Sequence, residues 1–247
     1  GLPRSVRARL KRRGASLSII GARQVTTDLP EHRHMRGKRG LHPAEAALEK
    51  AKEKAIRRAG RHARRQKSRL FKSHQLTLDE RTRGMGGLHA SCGEENLVAP
   101  DHDMRYRGRD VLVHELSHAI MDHGLPRSFR SAIENTYNAS VVGRGLWRRP
   151  DGCTAYAATN AAEYFAELSM WLFGTHGDFV DAARQLPSPG AHGLASYDPD
   201  GFALVGTIYS GSHPLYTAGA EASVPIVLHP VAGNACSGDS SSLVHVV

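Results

Sequence analysis

The pentapeptide His114-Glu115-Leu116-Ser117-His118 sets two imidazoles and a carboxylate at the spacing H-E-x-x-H. On a helix the two histidines fall one turn apart on one face, with the glutamate beside them. Such a pair supplies half of a zinc site, because a catalytic zinc takes three protein ligands and leaves one position for water. A second run, Asn160-Ala-Ala-Glu163-Tyr-Phe-Ala-Glu167, offers two carboxylates one helical turn apart beside an apolar face. Carboxylates in that position need neutralising, and a dication held by histidines does this. The spacing therefore assigns His114, His118 and Glu163 to a metal and Glu115 to the role of general base on water. Glu167 then accepts the free ring N–H of a ligand histidine, His114 for preference, and so fixes its tautomer. Tyr156, seven residues before Glu163, is a candidate donor to a developing oxyanion.

Each assignment has a plainer competitor. With 15 histidines in 247 residues, an H-E-x-x-H pattern arises in roughly 4% of shuffled chains. Asn160 and Glu163 stand at the spacing of a capping box, which gives Glu163 a purely structural use. Glu115 and Glu167 read equally as exposed helix glutamates, and a lone tyrosine before a helix is ordinarily packing. The conjunction of both runs outweighs either alone.

Helices must carry these groups, and helix signals surround them. Asp110 is a good N-cap for a helix through Val111, Leu116 and Ile120, closed by Gly124 and Pro126. A second helix starts near Asn160 and runs through Phe165, Leu168 and Trp171 to Gly174. Upstream, residues 4–13 read as a basic helix closed by Gly14, and Ser16–Ile20 as a buried strand, a reasonable opening to an α+β domain. Residues 25–36 read as loop, and Leu76–Leu78 as a short strand. The glycines of Arg83-Gly-Met-Gly-Gly87 permit close backbone approach, as at the edge strand of a peptide-binding cleft, or make a plain turn. Downstream, 175–196 reads as loop around a helical piece at 178–185. Asp198 caps a closing helix over Pro199–Tyr209, with Phe202, Leu204, Val205 and Ile208 toward the core. The apolar run Leu243–Val247 reads as a strand or a truncated further element.

Charge divides the chain. Residues 1–73 hold 22 Lys/Arg against 5 Asp/Glu, whereas residues 74–247 hold 11 against 19, so an acidic body carries a basic front. Residues 43–71 read as a long helix whose few apolar side chains are mostly alanine, so it is expected to bury little area as an exposed insertion. A solvated face is the plain reading of such a charge run, and nucleic acid or an anionic surface the functional one. The organisation expected is an N-terminal helix and strand (1–39), a basic helical insertion (40–72), a core (73–211) and a C-terminal extension (212–247). No apolar run reaches the roughly 18 residues a membrane span needs, so the chain reads as soluble. It begins at Gly1, as a fragment or a processed form does. Cys92 and Cys153 flank the first motif, where a bridge or buried thiols fit equally well. With the glycosylation tripeptide Asn138-Ala-Ser140, they tilt the compartment slightly toward secreted over cytoplasmic.

His114-Glu-Leu-Ser-His118 together with Asn160-Ala-Ala-Glu163-Tyr-Phe-Ala-Glu167 resembles the gluzincin metallopeptidases, in particular the catalytic domain of the anthrax lethal factor type and its eukaryotic relatives. The motifs span 114–167, and a looser likeness covers about 75–211, including Gly93-Glu-Glu-Asn-Leu97 and Tyr197-Asp198-Pro199. The resemblance implies a zincin-like α+β fold with a small sheet, an active-site helix and a second ligand-bearing helix. It implies one catalytic zinc ion on His114, His118 and Glu163, with Glu115 as base and Tyr156 stabilising the transition state. The implied substrate is a peptide or protein. The rival expectation is a non-catalytic binding protein on the same scaffold, acting through the basic helix at 40–72, for which the resemblance offers no counterpart.

Overall fold

The computed structural model describes residues 2–40, 76–98, 105–106, 109–147, 155–174, 190–216 and 243–244. The basic opening forms helix α1 (Arg4–Arg12), with Arg9, Lys11 and Arg12 in the last turn, where the helix dipole favours cations. Its buried residues, Val6 and Leu10, lie one turn apart, so α1 rests on the core by a single stripe. Gly14, at φ +72°, turns the chain into strand β1 (Ser16–Ile20). β1 is central: it pairs in parallel with β2 (His89–Gly93) and antiparallel with β3 (Leu243–Val244).

A parallel pair requires a crossover connection, and residues 21–88 provide it. Tight 3-10 turns at Thr26–Asp28 and Arg33–Met35 break the segment read as loop. The short strand expected at Leu76–Leu78 is not formed. Thr77 makes one isolated bridge with Arg39, and Leu78 opens a one-turn helix, α2 (Leu78–Arg81). Thr77 and Glu80 cap each other's backbone N–H reciprocally, so local satisfaction of the helix start wins over strand pairing. The Gly40 N–H donates to the Leu76 carbonyl at 3.2 Å, so the chain leaves the described fold and rejoins it at neighbouring points. Residues 41–75, and with them the predicted basic helix, lie outside the described residues, as does the piece expected at 178–185.

Helix α3 (Val111–Ala119) starts where Asp110 accepts the Val113 N–H at 2.9 Å. It continues into a wider turn, Ile120–Gly124, closed by Leu125 N–H to Ile120 O at 2.8 Å. Helix α4 (Ser128–Tyr137), over a stretch the sequence reading leaves unassigned, buries Phe129 and Ile133. Helix α5 (Ala161–Leu172) is the centre of the core, with every residue from Glu163 to Trp171 buried. Helix α6 (Ala191–Tyr197) stands where loop is expected: its Leu194 and Tyr197 are held by the core rather than by any local start signal. Helix α7 (Pro199–Ser210) ends at Gly211, at φ +78°, the left-handed cap that glycine favours. Leu204, Val205 and Ile208 are buried and Phe202 is partly so.

These helices are tied by a buried carboxylate. Asp198, at the start of α7, is fully buried and accepts from Ser140 Oγ (2.8 Å), Tyr164 hydroxyl (2.6 Å), Trp147 Nε1 (3.1 Å) and Arg144 Nη2 (2.8 Å). It also caps its own helix through the Gly201 N–H at 3.1 Å. Trp147 holds a left-handed backbone, φ 67°, which strains a non-glycine residue. It is kept there by its bonds to Asp198 and the Tyr197 hydroxyl and by edge-on packing against Tyr164, Trp171 and Tyr197.

The architecture is a mixture of helices with a small sheet, in keeping with the α+β class. Among the described residues no helix is long and apolar enough to cross a membrane. Cys92 on β2 is a buried free thiol, not the half of a bridge that the sequence left open, and Cys153 lies outside the described residues. Burial, aided by the carboxylates of Asp110, Glu95 and Glu115, pushes that thiol up to about 12. An Asp198→Ala chain, which removes the acceptor shared by five donors at once, is expected to lose about 3 kcal/mol of stability, read as a lower urea midpoint.

Candidate metal centre

Among the described elements, helix α3 packs most extensively on α5, and it also lies against β2. The H-E-x-x-H spacing turns His114 and His118 toward α5, and their rings meet edge-on with centroids 5.0 Å apart. Opposite them, Asn160 caps α5 by accepting both the Ala162 N–H (2.8 Å) and the Glu163 N–H (2.9 Å). The capping-box spacing is thus used in one direction only. The Glu163 side chain is left free to face the histidines.

Three ligand atoms converge. His114 Nε2 lies 3.2 Å from Glu163 Oε2, His118 Nε2 lies 3.3 Å from the same oxygen, and the two Nε2 atoms are 3.3 Å apart. The other carboxylate oxygen, Glu163 Oε1, accepts the Tyr156 hydroxyl at 3.1 Å. The Tyr156 ring is half exposed, while its hydroxyl ends against a carboxylate only 3% exposed. On the far side of the ring, His114 Nδ1 sits 3.0 Å from Glu167 Oε1, close enough for an ion pair although the N–H is not in line for a good hydrogen bond. Glu115 stands beside the histidines. Ligand atoms of His114, Glu115 and His118 all lie within 4.8 Å of one another, a group able to hold a metal ion.

The electrostatics follow from burial and proximity. Burial alone would raise the pKa of Glu163, yet the two imidazoles outweigh it and the carboxyl ends below its usual range. Glu167 is pulled down in the same way, against its own burial, by His114 and by Arg109. Burial disfavours a charged His114, but Glu163 and Glu167 together raise its pKa above the ordinary imidazole value. The Tyr156 hydroxyl is pushed well up, first by desolvation and then by the neighbouring Glu163 charge. These opposed shifts favour sharing of a proton between His114 and the two carboxylates.

The glycine stretch lies directly on this centre. A Cβ on Gly84 would stand 2.6 Å from Val111 Cγ1 and 3.2 Å from Glu115 Oε1. One on Gly86 would stand 2.7 Å from His118 Cδ2, 2.9 Å from His118 Cβ and 3.0 Å from Glu115 Oε2. Bare backbone is what lets this segment cover the motif helix. Met85 exchanges both backbone hydrogen bonds with Ser91, at 3.1 and 2.9 Å. In an antiparallel ladder that geometry turns the peptide groups of Gly84 and Gly86 away from β2.

The structure brings together all six residues singled out in the sequence: His114, Glu115, His118, Tyr156, Glu163 and Glu167. It adds Arg109, whose Nη2 donates to Glu167 Oε1 at 2.6 Å. No local pattern links residues 58 positions apart, so sequence reasoning had no means to find that contact. The chain matches no family model, and no similar protein was found among curated proteins or solved structures.

Gly86→Ala is expected to force His118 aside. The outcome should be a loss of about 1–3 kcal/mol in stability, measured by denaturant unfolding, with Gly87→Ala as the comparison in which no neighbour lies within 4 Å and only backbone strain at φ +119° acts.

Proposed function

We propose that this chain is a zinc-dependent metallopeptidase of the gluzincin type, hydrolysing peptide bonds in peptide or protein substrates. The observation that carries the reading is the triangle of His114 Nε2, His118 Nε2 and Glu163 Oε2, with edges of 3.2, 3.3 and 3.3 Å. Ligands at about 2.0–2.1 Å from a tetrahedral zinc stand about 3.3 Å apart. Two imidazole nitrogens and one carboxylate oxygen are also the donor set of a catalytic zinc that keeps an open position. Lone pairs aimed at one point repel each other unless a cation or a proton lies between them, and the raised pKa of His114 is the proton's version of that requirement.

When bound, zinc would make a water molecule acidic enough to attack at neutral pH and would polarise the substrate carbonyl. The chain's own residues do the rest. Glu115, confined under the Gly84 and Gly86 backbone, takes the proton from the attacking water and delivers it to the leaving amine as the C–N bond breaks. Tyr156 stays protonated because its pKa is raised, so it can leave Glu163 and donate to the carbonyl oxygen as negative charge develops there. The Gly84 N–H and C=O are taken by the Thr82 hydroxyl at 3.0 and 2.7 Å, so the outward-turned backbone of Gly86 is what suits an extended substrate adding as a further strand.

Purified protein should carry about one zinc per chain by metal analysis. Glu115→Gln should keep the metal and lose peptide-library cleavage by about 100-fold or more; undiminished cleavage would sink the mechanism. Because Glu163 and Glu167 raise the His114 pKa, protons compete with zinc for the site, and zinc affinity should rise with pH across the neutral range. Calorimetric titration at pH 7 in buffers of different ionisation enthalpy should register proton release on binding.

A further inference from the structure

The geometry points to Arg109 as a positioning residue of the metal centre, acting on His114 through Glu167 and set in place by Asn96. This inference rests on the metallopeptidase reading and adds to it a control on ligand orientation from the start of α3.

Arg109 immediately precedes the cap residue Asp110. Its backbone carbonyl accepts from Asn96 Nδ2 at 2.8 Å, while Asn96 Oδ1 accepts the Leu112 N–H at 3.0 Å. Asn96 therefore clamps both sides of the α3 start and fixes the point from which the Arg109 side chain leaves. The guanidinium Nη2 reaches Glu167 Oε1 at 2.6 Å, and that same oxygen lies 3.0 Å from His114 Nδ1. One carboxylate oxygen is thus held between a cation and the ligand imidazole. Glu167 is 6% exposed, so no water shell competes for it, and Arg109 decides which way its carboxylate points.

A carboxylate charge held 3.0 Å from Nδ1 favours the tautomer with the ring proton on that nitrogen and leaves the Nε2 lone pair facing Glu163 and His118. Release of Arg109 frees the carboxylate to turn, and the imidazole loses the partner that sets its plane. The chain from Asn96 to Arg109 to Glu167 to His114 reaches the ligand from its rear, on the side away from Glu163.

The full chain is tested as wild type, Arg109→Ala and Arg109→Lys, with zinc affinity read by competition against a chromophoric chelator. Solvent exchange of the His114 Nδ1–H in the zinc-loaded protein is read by NMR. Arg109→Ala should bind zinc about 10-fold to 100-fold more weakly and exchange that proton faster, and Arg109→Lys, which keeps a cation near Glu167, should recover most of both. If metal-free Arg109→Ala fails to fold by circular dichroism, Asn96→Ala takes its place and should shift both readouts in the same direction. Wild-type protein that takes up no zinc removes the metallopeptidase reading itself. Wild type that binds zinc, with an alanine variant equal to it in affinity and exchange, overturns the role of Arg109 alone. So does equal weakening by alanine and lysine with unchanged proton exchange, which marks a merely structural contact.

Discussion

The constraint on which this structure turns is the burial of two carboxylates, Glu163 and Glu167, one helical turn apart in the first half of the core helix α5. Removing two charges from water is costly unless each is paired. The pairing comes from α3, which presents His114 to both carboxylates and His118 to Glu163. Among the described elements, the helix pair that packs most extensively therefore meets over buried charge. Hydrophobic packing sets the two helices side by side, and the buried charges set their register.

The remaining core is organised so that this polar patch is not disturbed. A third buried carboxylate, Asp198, gathers α4's following turn, Trp147, α5 and the start of α7 through separate donors. Tyr164, adjacent to Glu163, belongs to that network, so the same turn of α5 is anchored on one side by Asp198 and on the other by the histidines. The left-handed backbone of Trp147 is a local strain borne by the aromatic cluster around it. Such over-determination is how a fold holds a ligand side chain to within a few tenths of an ångström.

The other face of the centre is controlled by absence of side chains. Gly84 and Gly86 bring main chain against Glu115 and His118 where any Cβ would collide. The sequence offered a plain turn or a close approach for these glycines, and the distances favour the approach. The backbone there runs beside β2 through Met85 and against Glu115 and His118 through its glycines.

Much of this was legible in the residues themselves. Helix periodicity and caps determined α1, α3, α5 and α7 because Asp110, Asn160, Asp198 and Gly211 act on their immediate neighbours, and the H-E-x-x-H spacing determined that two imidazoles share a face. Local chemistry also decided α2, although it was read as a strand, since the Thr77 and Glu80 exchange competes directly with pairing. Tertiary structure decided the rest. Helix α6 exists because the core takes Leu194 and Tyr197, and Cys92 is a free thiol buried on β2. Glu163 faces the histidines rather than its own cap because α3 packs there, and Arg109 meets Glu167 only when residues 58 positions apart are folded together. Spacing along one helix states which side chains share a face. Which face meets which is a property of packing between elements, and no stretch of sequence contains it alone.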